Sequence, residues 1–241
     1  MLVKTKGIVL HQLKYSETSI IAKVFTLDYG IQSYLVKGAR SRKSKISPAL
    51  FQALSLVEIV AYRKEKSSLH HLKEIKSLHH FQSISVDIVK SSIAIFINEL
   101  LYRSIKEEEP NPALFEFIFN SVMCFDLAEE KFANFHLIFA IQLTKYLGFY
   151  PSGSNTKSTP IFNLVEGMFD SKLNCVHEHI DENGSKNLDQ ILKLSYENMH
   201  QLKINGETRA EISEKIIRYY HHHLPAFENI KSLEVLKTVL S

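Results

Sequence analysis

The sequence predicts an α+β chain of more than one domain: a small five-stranded β-barrel, then an all-α domain that carries a small β-hairpin insert. Three observations lead there. The first 80 residues hold five short runs, rich in β-branched and aromatic residues, in which apolar and polar positions alternate, which is the period of a strand. From residue 84 the apolar positions fall three and four apart, as in Ile93, Phe96, Ile97, Leu100 and Leu101, which is the period of a helix. Charge divides at the same place. Residues 1–80 carry 14 Lys+Arg against 5 Asp+Glu, a net +9; residues 81–241 carry 15 against 21, a net −6. Such asymmetry points to a polyanionic partner for the first part and a different task for the second.

The elements follow in order. "GIVLHQLKY" (7–15) opens the barrel. "SIIAKVFTL" (19–27) and "IQSYLVK" (31–37) flank Asp28-Tyr29-Gly30, where the glycine permits the turn of a hairpin. Ser47 and Pro48 sit as N-cap and first residue of a short helical stretch in "SPALFQAL". "SLVEIVAYRK" (55–64) and "LHHLKEIK" (69–76) complete five strands. Five short strands with one helical interruption are the pattern of the OB-fold, a barrel that most often binds nucleic acid. Residues 1–80 are therefore read as an OB-fold and 81–241 as a helical domain. Asn111 and Pro112 start the second helix; "AEEKFANFHLIFAIQLTKYLG" is the third, closed by Gly148. In 151–186, "IFNLVEGMFDS" and "LNCVHEHI" read as the two strands of a hairpin, followed by a turn at "DENGSKN". Helices return at 188–202, at 208–224 with Thr208 as N-cap, and at 232–240 with Ser232 as N-cap.

Few residues carry enzyme chemistry. There is no Gly-x-Ser-x-Gly, no phosphate-binding glycine loop and no dinucleotide fingerprint among the 8 glycines. Cys124, between Met123 and Phe125, reads as a small core residue. Two cysteines make no disulfide framework, so a reducing, cytoplasmic setting is expected. No run of about 18 apolar residues suggests a membrane span. Cys175, His177 and His179 would share one face of a strand, yet no fourth ligand lies in the same hairpin. No metal, no other cofactor and no catalytic residue is expected.

The electrostatic pattern is richer. "VKGARSRKSK" (36–45) places Lys37, Arg40, Arg42, Lys43 and Lys45 within ten residues that hold no carboxylate. Cations this dense repel one another unless solvent or a polyanion screens them. A solvated loop and a phosphate grip are the two readings. Lys14, Lys23, Arg63, Lys64 and Lys66 lie on other strands and turns of the same barrel. The candidate DNA-binding set is Lys37, Arg40, Arg42, Lys43, Lys45, Lys14, Arg63 and Lys64. Tyr15, Tyr29, Tyr34 and Tyr62 are interspersed and could stack on bases, although strand packing is the plainer reading of Tyr34 and Tyr62.

"GIVL", "YSET" (15–18), "FTLDYG" (25–30) and "VKGARSRKS" (36–44), in this order and spacing, resemble the opening of RecO, a family of bacterial recombination mediators. "LGFYP" (147–151) and "NIKSLEVL" (229–236) resemble later segments of that family. The resemblance implies a DNA repair and recombination protein that binds single- and double-stranded DNA and anneals complementary strands. It also implies partners: RecR, with which the RecA recombinase is loaded, and the C-terminal tail of single-stranded DNA-binding protein. Many members carry two Cys-x-x-Cys pairs in the insert, which reads as a zinc ribbon. Here 151–186 holds only Cys175, so the insert is a degenerate ribbon, expected to be held by Phe162, Leu164, Met168 and Phe169. An RNA-binding module on the same barrel, a protein scaffold without annealing activity, and, more weakly, a metal-dependent nuclease are the alternatives.

Overall fold

A computed structural model describes residues 1–41, 46–64, 67–106, 109–171 and 178–241. The chain divides into two compact units: 1–83 with 105–126, and 84–104 with 127–241. Each is described in turn.

The first unit is built on a closed barrel of β1 (Leu2–Lys14), β2 (Ile20–Thr26), β3 (Gly30–Val36), β4 (Leu56–Tyr62) and β5 (Leu69–Ser77), in the order β1-β2-β3-β5-β4. All neighbours are antiparallel except β3 and β5, which pair in parallel at only Ser33↔Leu69, Tyr34↔His70 and Leu35↔His71. β1 begins at Leu2, before the expected Gly7. Lys4 and Lys6 look polar as a run, but Val3 and Thr5 alternate with them into the interior, as the two-residue period requires. Gly7 lies where the wall is tightest: a Cβ there would stand 2.6 Å from Val24 Cγ1. The core holds Val9, Ala22, Val24, Tyr34, Ile59 and Ala61, with Phe51 brought in by a 3-10 turn (Pro48–Phe51). Ser47 caps that turn as expected, accepting from Ala49 N.

Helix α2 (Pro112–Leu127) is capped by Asn111, whose Oδ1 accepts from Leu114 N (3.0 Å). Its inward face packs Phe115 on Phe25, 5.8 Å between ring centroids, so 105–126 clusters with the barrel. Cys124 is exposed, contrary to the core reading, because Ser121, Val122 and Phe125 occupy the buried side of the turn. At the end of α2 the buried Asp126 carboxylate accepts from Gln82 N, Ser83 N and Ser83 Oγ and meets His79 Nε2 at 2.8 Å.

The second unit is helical: α1 (Ile88–Ser104), α3 (Phe135–Leu147), α4 (Glu182–Leu192), α5 (Gly206–His223) and α6 (Ser232–Leu240), with a three-stranded sheet of β6 (Ile161–Asn163), β7 (Met168–Asp170) and β8 (His179–Ile180) in the order β7-β6-β8. α3 starts later than the pattern suggests, because Lys131 adopts a left-handed backbone (φ 59°) and a 3-10 turn intervenes; Gly148 closes it at φ 87°. α4 begins inside the expected turn "DENGSKN", since Asp181 accepts from Gly184 N (2.8 Å) and caps it there. Asn205, not Thr208, caps α5, accepting from Thr208 N. The start of α6 is held by Glu99 of α1, which accepts from Lys231 N, Ser232 N and Ser232 Oγ, so Ser232 does not cap its own helix.

The insert also differs from expectation. "IFNLVEGMFD" is itself a hairpin, turned by Asn163, which accepts from Val165 N and Glu166 N, and by Gly167 at φ 69°. Phe162, Leu164 and Phe169 are buried, whereas Met168 is 42% exposed on the outer side of its strand. Phe162 packs on Phe169 and on Tyr219 of α5, and Tyr219 donates to Phe149 O. A zinc ribbon of four cysteines does not fit, because aromatic rings fill the insert's core and the chain has only two cysteines.

Candidate nucleic-acid interface

Strand register decides which cations share a surface. Lys14 closes β1 opposite Ile20, and Ile20 also faces Val36, the residue before Lys37. Two strand spacings, roughly 10 Å, thus separate the backbones that carry Lys14 and Lys37. Gly38 turns the chain at φ 71°, and Arg40 N donates to Thr18 O (3.0 Å), tying the basic loop to the β1–β2 turn. That turn is closed by Tyr15 N to Ser19 O (3.0 Å) and Ser19 N to Ser16 Oγ (3.2 Å). One end of the barrel therefore presents Lys14, Lys37 and Arg40, all exposed, with Tyr15 59% exposed beside them. None of the three cations meets a carboxylate among the described residues. Arg42, Lys43 and Lys45 lie outside the described residues, as does Lys66. Lys23 lies mid-strand on β2, opposite His11 and Ser33.

Arg63 and Lys64 leave the end of β4. They follow Tyr62, which pairs with Leu2 at the start of β1, and Arg63 N donates to Met1 O (2.9 Å). β1 has 13 residues, roughly 40 Å of contour at ~3.3 Å each, and Lys14 is at its far end. Going round the barrel the other way, however, His71 pairs with both Tyr62 and Leu35, so two strand spacings, roughly 10 Å, also separate the end of β4 from the end of β3 near Lys37. Sequence gave no signal of this, because strand order and stagger are set by pairings distant along the chain.

The Arg63 end has its own chemistry. The guanidinium carbon lies 4.7 Å from the centroid of the Tyr29 ring, and its Nε is buried with no hydrogen-bond partner. Gln32 donates from Nε2 to Tyr29 O and Ile31 O, which turns its Oε1 toward His70 Nε2 at 2.7 Å. That contact assigns the His70 proton to Nε2. Burial, and then the Arg63 charge, hold the His70 pKa below the usual range, and burial pushes the Tyr34 hydroxyl well above its own. Tyr34 is 2% exposed, as strand packing requires, but Tyr62 is 51% exposed: it is the last residue of β4, and its ring leaves the wall. Tyr62 is a contact candidate that strand periodicity would have dismissed.

A cavity of about 640 Å³ beside α4 and α5 is lined by Glu178, Asp181, Glu211 and Glu214, with Lys215 and Arg218. Carboxylates in that number favour cationic rather than anionic partners. Of the one histidine–cysteine motif, Cys175 and His177 lie outside the described residues; among those described, no three His, Cys, Asp or Glu converge as a metal set. No described helix is long and apolar enough to cross a membrane.

The family model for Recombination protein O N terminal matches residues 1–81, and that for Recombination protein O C terminal matches residues 85–234. The chain belongs to the RecO family. It is 41% identical to the DNA repair protein RecO of Flavobacterium psychrophilum over the full length of both chains, and 40% identical to that of Bacteroides fragilis over 98% of each. The likeness reaches a RecO as distant as that of Porphyromonas gingivalis, at 28% over 99% of each chain. A RecO-family barrel followed by helices is thus the architecture the sequence predicted, and DNA repair and recombination are the roles of the family. The matched names describe no catalytic activity.

Proposed function

We propose that this chain is a non-enzymatic, cytoplasmic recombination mediator that binds single- and double-stranded DNA through the barrel end bearing Lys14, Lys37 and Arg40, extended by Arg42, Lys43 and Lys45. The observation that carries the reading is the exposure of those three described cations, unpaired, around one turn. A strand brings one phosphate per 3.4 Å of axis, and each phosphate neutralised releases condensed counterions. Binding offsets the repulsion among the cations and lowers that between two strands held together, so complements can anneal. Family membership supports the rest: cooperation with RecR in loading RecA, and contact with the C-terminal tail of single-stranded DNA-binding protein. The cation surface accounts for DNA capture without a metal or a nucleophile.

The test is a titration of labelled single-stranded DNA across a salt series. If about four phosphates are neutralised, log K falls against log salt with a slope near −3. Replacing Lys14, Lys37 and Arg40 by Ala should flatten that slope by about 2 units and weaken binding to every sequence alike. An unchanged slope and affinity in that variant would falsify the reading. Competition with RNA of equal length separates DNA preference from general single-strand binding.

A further inference from the structure

We infer that His70 is an acid-sensitive latch on the β3–β5 seam of the barrel: when its ring takes up a second proton, the three parallel pairs that close the barrel loosen.

The seam is short. β3 meets β5 only at Ser33↔Leu69, Tyr34↔His70 and Leu35↔His71, whereas it pairs with β2 along its whole length. His70 holds the middle pair and is 3% exposed, while His71, next along β5, is exposed. The His70 ring joins the two strands a second time. Its Nε2 lies 2.7 Å from Oε1 of Gln32 on β3, and Gln32 spends its amide protons on Tyr29 O and Ile31 O. Nε2 therefore carries the single proton of a neutral imidazole. Nδ1 is bare, buried and without a hydrogen-bond partner.

The neighbours of that ring do not offset a positive charge on it. The Tyr34 ring stands 6.0 Å away between centroids, and burial pushes its hydroxyl well above the usual range, so it stays a neutral phenol. Arg63, just past β4, brings a fixed positive charge that bears on both His70 and Tyr34, and it stacks on Tyr29 of the β2–β3 turn at 4.7 Å. Asp28 of the same turn is engaged by Thr5 Oγ1 (2.6 Å). Tyr62 at the end of β4 pairs with His71, not His70, and stands half exposed. Among the described residues, the histidines that meet a carboxylate are His79 and His222. A proton on Nδ1 would thus be a buried donor without an acceptor, near a guanidinium. In the open seam the same proton meets water.

Burial first, then Arg63, hold the His70 pKa below its usual range in the closed barrel, against ~6.5 when the ring is solvated. The open form therefore takes up protons that the closed form refuses. The seam is intact above about pH 6.5 and loosens as pH falls below it. β3 runs directly into Lys37, so loosening frees the root of the basic loop.

Hydrogen–deuterium exchange of the full-length chain at pH 7.5 and 5.5 tests this, with rates corrected for the intrinsic pH dependence of amide exchange. Protection at 33–35 and 69–71 should fall about threefold to tenfold at the lower pH, ten being the limit set by an open-state pKa near 6.5. Residues 20–26 should hold theirs. His70→Gln, which retains an amide donor but does not titrate, should show no such fall. In the wild-type chain the His70 ring, followed by NMR, should titrate with a midpoint below 6.5. Equal protection at both pH values in wild type, an equal fall in His70→Gln, or a ring midpoint at or above 6.5 overturns the inference; the ring titration decides it should His70→Gln fail to fold. None of these measurements involves DNA, so they stand whether or not the cation surface binds it.

Discussion

At the scale of single residues, burial sorts look-alike side chains. Tyr34 and Tyr62 sit in similar strand patterns, yet one is sealed in the barrel and the other stands half exposed at a strand end. Cys124 shows the same limit, since helical phase, not neighbouring residue type, set its exposure. Buried histidine brings pH into stability. His136 of α3 is enclosed in the helical unit; Ser213 spends its proton on Arg209 O and so accepts from His136 Nε2 (3.1 Å). Burial, then the charge of Arg209, lower its pKa to about 3, against ~6.5 in the unfolded chain. As pH falls below 6.5 the unfolded state takes up a proton that the folded state refuses, so stability is lost from there down to about 3. Urea unfolding of the helical unit should show a loss of about 2 kcal/mol between pH 6.5 and 5.0. His136→Gln should flatten that dependence; an equal slope in wild type and variant would refute it.

At the scale of elements, the strands were readable and the joints were not. Periodicity located β1 to β5 because each wall strand has one face inside, and Asn111 and Gly148 marked helix ends by chemistry their own segment supplies. The span of α6 was legible but its cap was not, because the group that holds its start is Glu99, more than a hundred residues earlier. The insert hairpin was hidden too: its short strands meet around Gly167, whose role depends on Tyr219. A Cβ at Gly167 would lie 2.8 Å from Tyr219 Oη, at a backbone angle that L-residues avoid. Gly167→Ala should therefore destabilise the helical unit by about 1–3 kcal/mol and perturb the near-ultraviolet tyrosine signal. A melting temperature equal to wild type would show that the insert relaxes around the new methyl group.

At the scale of the molecule, the division of charge announced a basic barrel and an acidic helical part, and the cation loop was legible as a candidate site from ten residues. Which other cations stand near that loop was not, since it depends on the strands that flank the end of β3, β2 with Lys14 beyond it on one side and β5 with Tyr62 beyond it on the other. A closed barrel was expected, but the pairing that closes it was equally invisible. It rests on three parallel pairs that join positions near 34 to positions near 70, and such a distant pairing forms only after a costly loop is closed. Amide protons of residues 33–35 and 69–71 should exchange with solvent deuterium sooner than those of 20–26, whose partners are local. Equal protection at both places would count against this. The cylinder thus has a weak staple on one side, and the wall can part there while the β1–β2 hairpin keeps its bonds. Tyr34 and His70 stand at that staple, with Arg63 close enough to shift both their titrations, so an anion clasped by Arg63 would be felt at the joint, as slower opening of the wall.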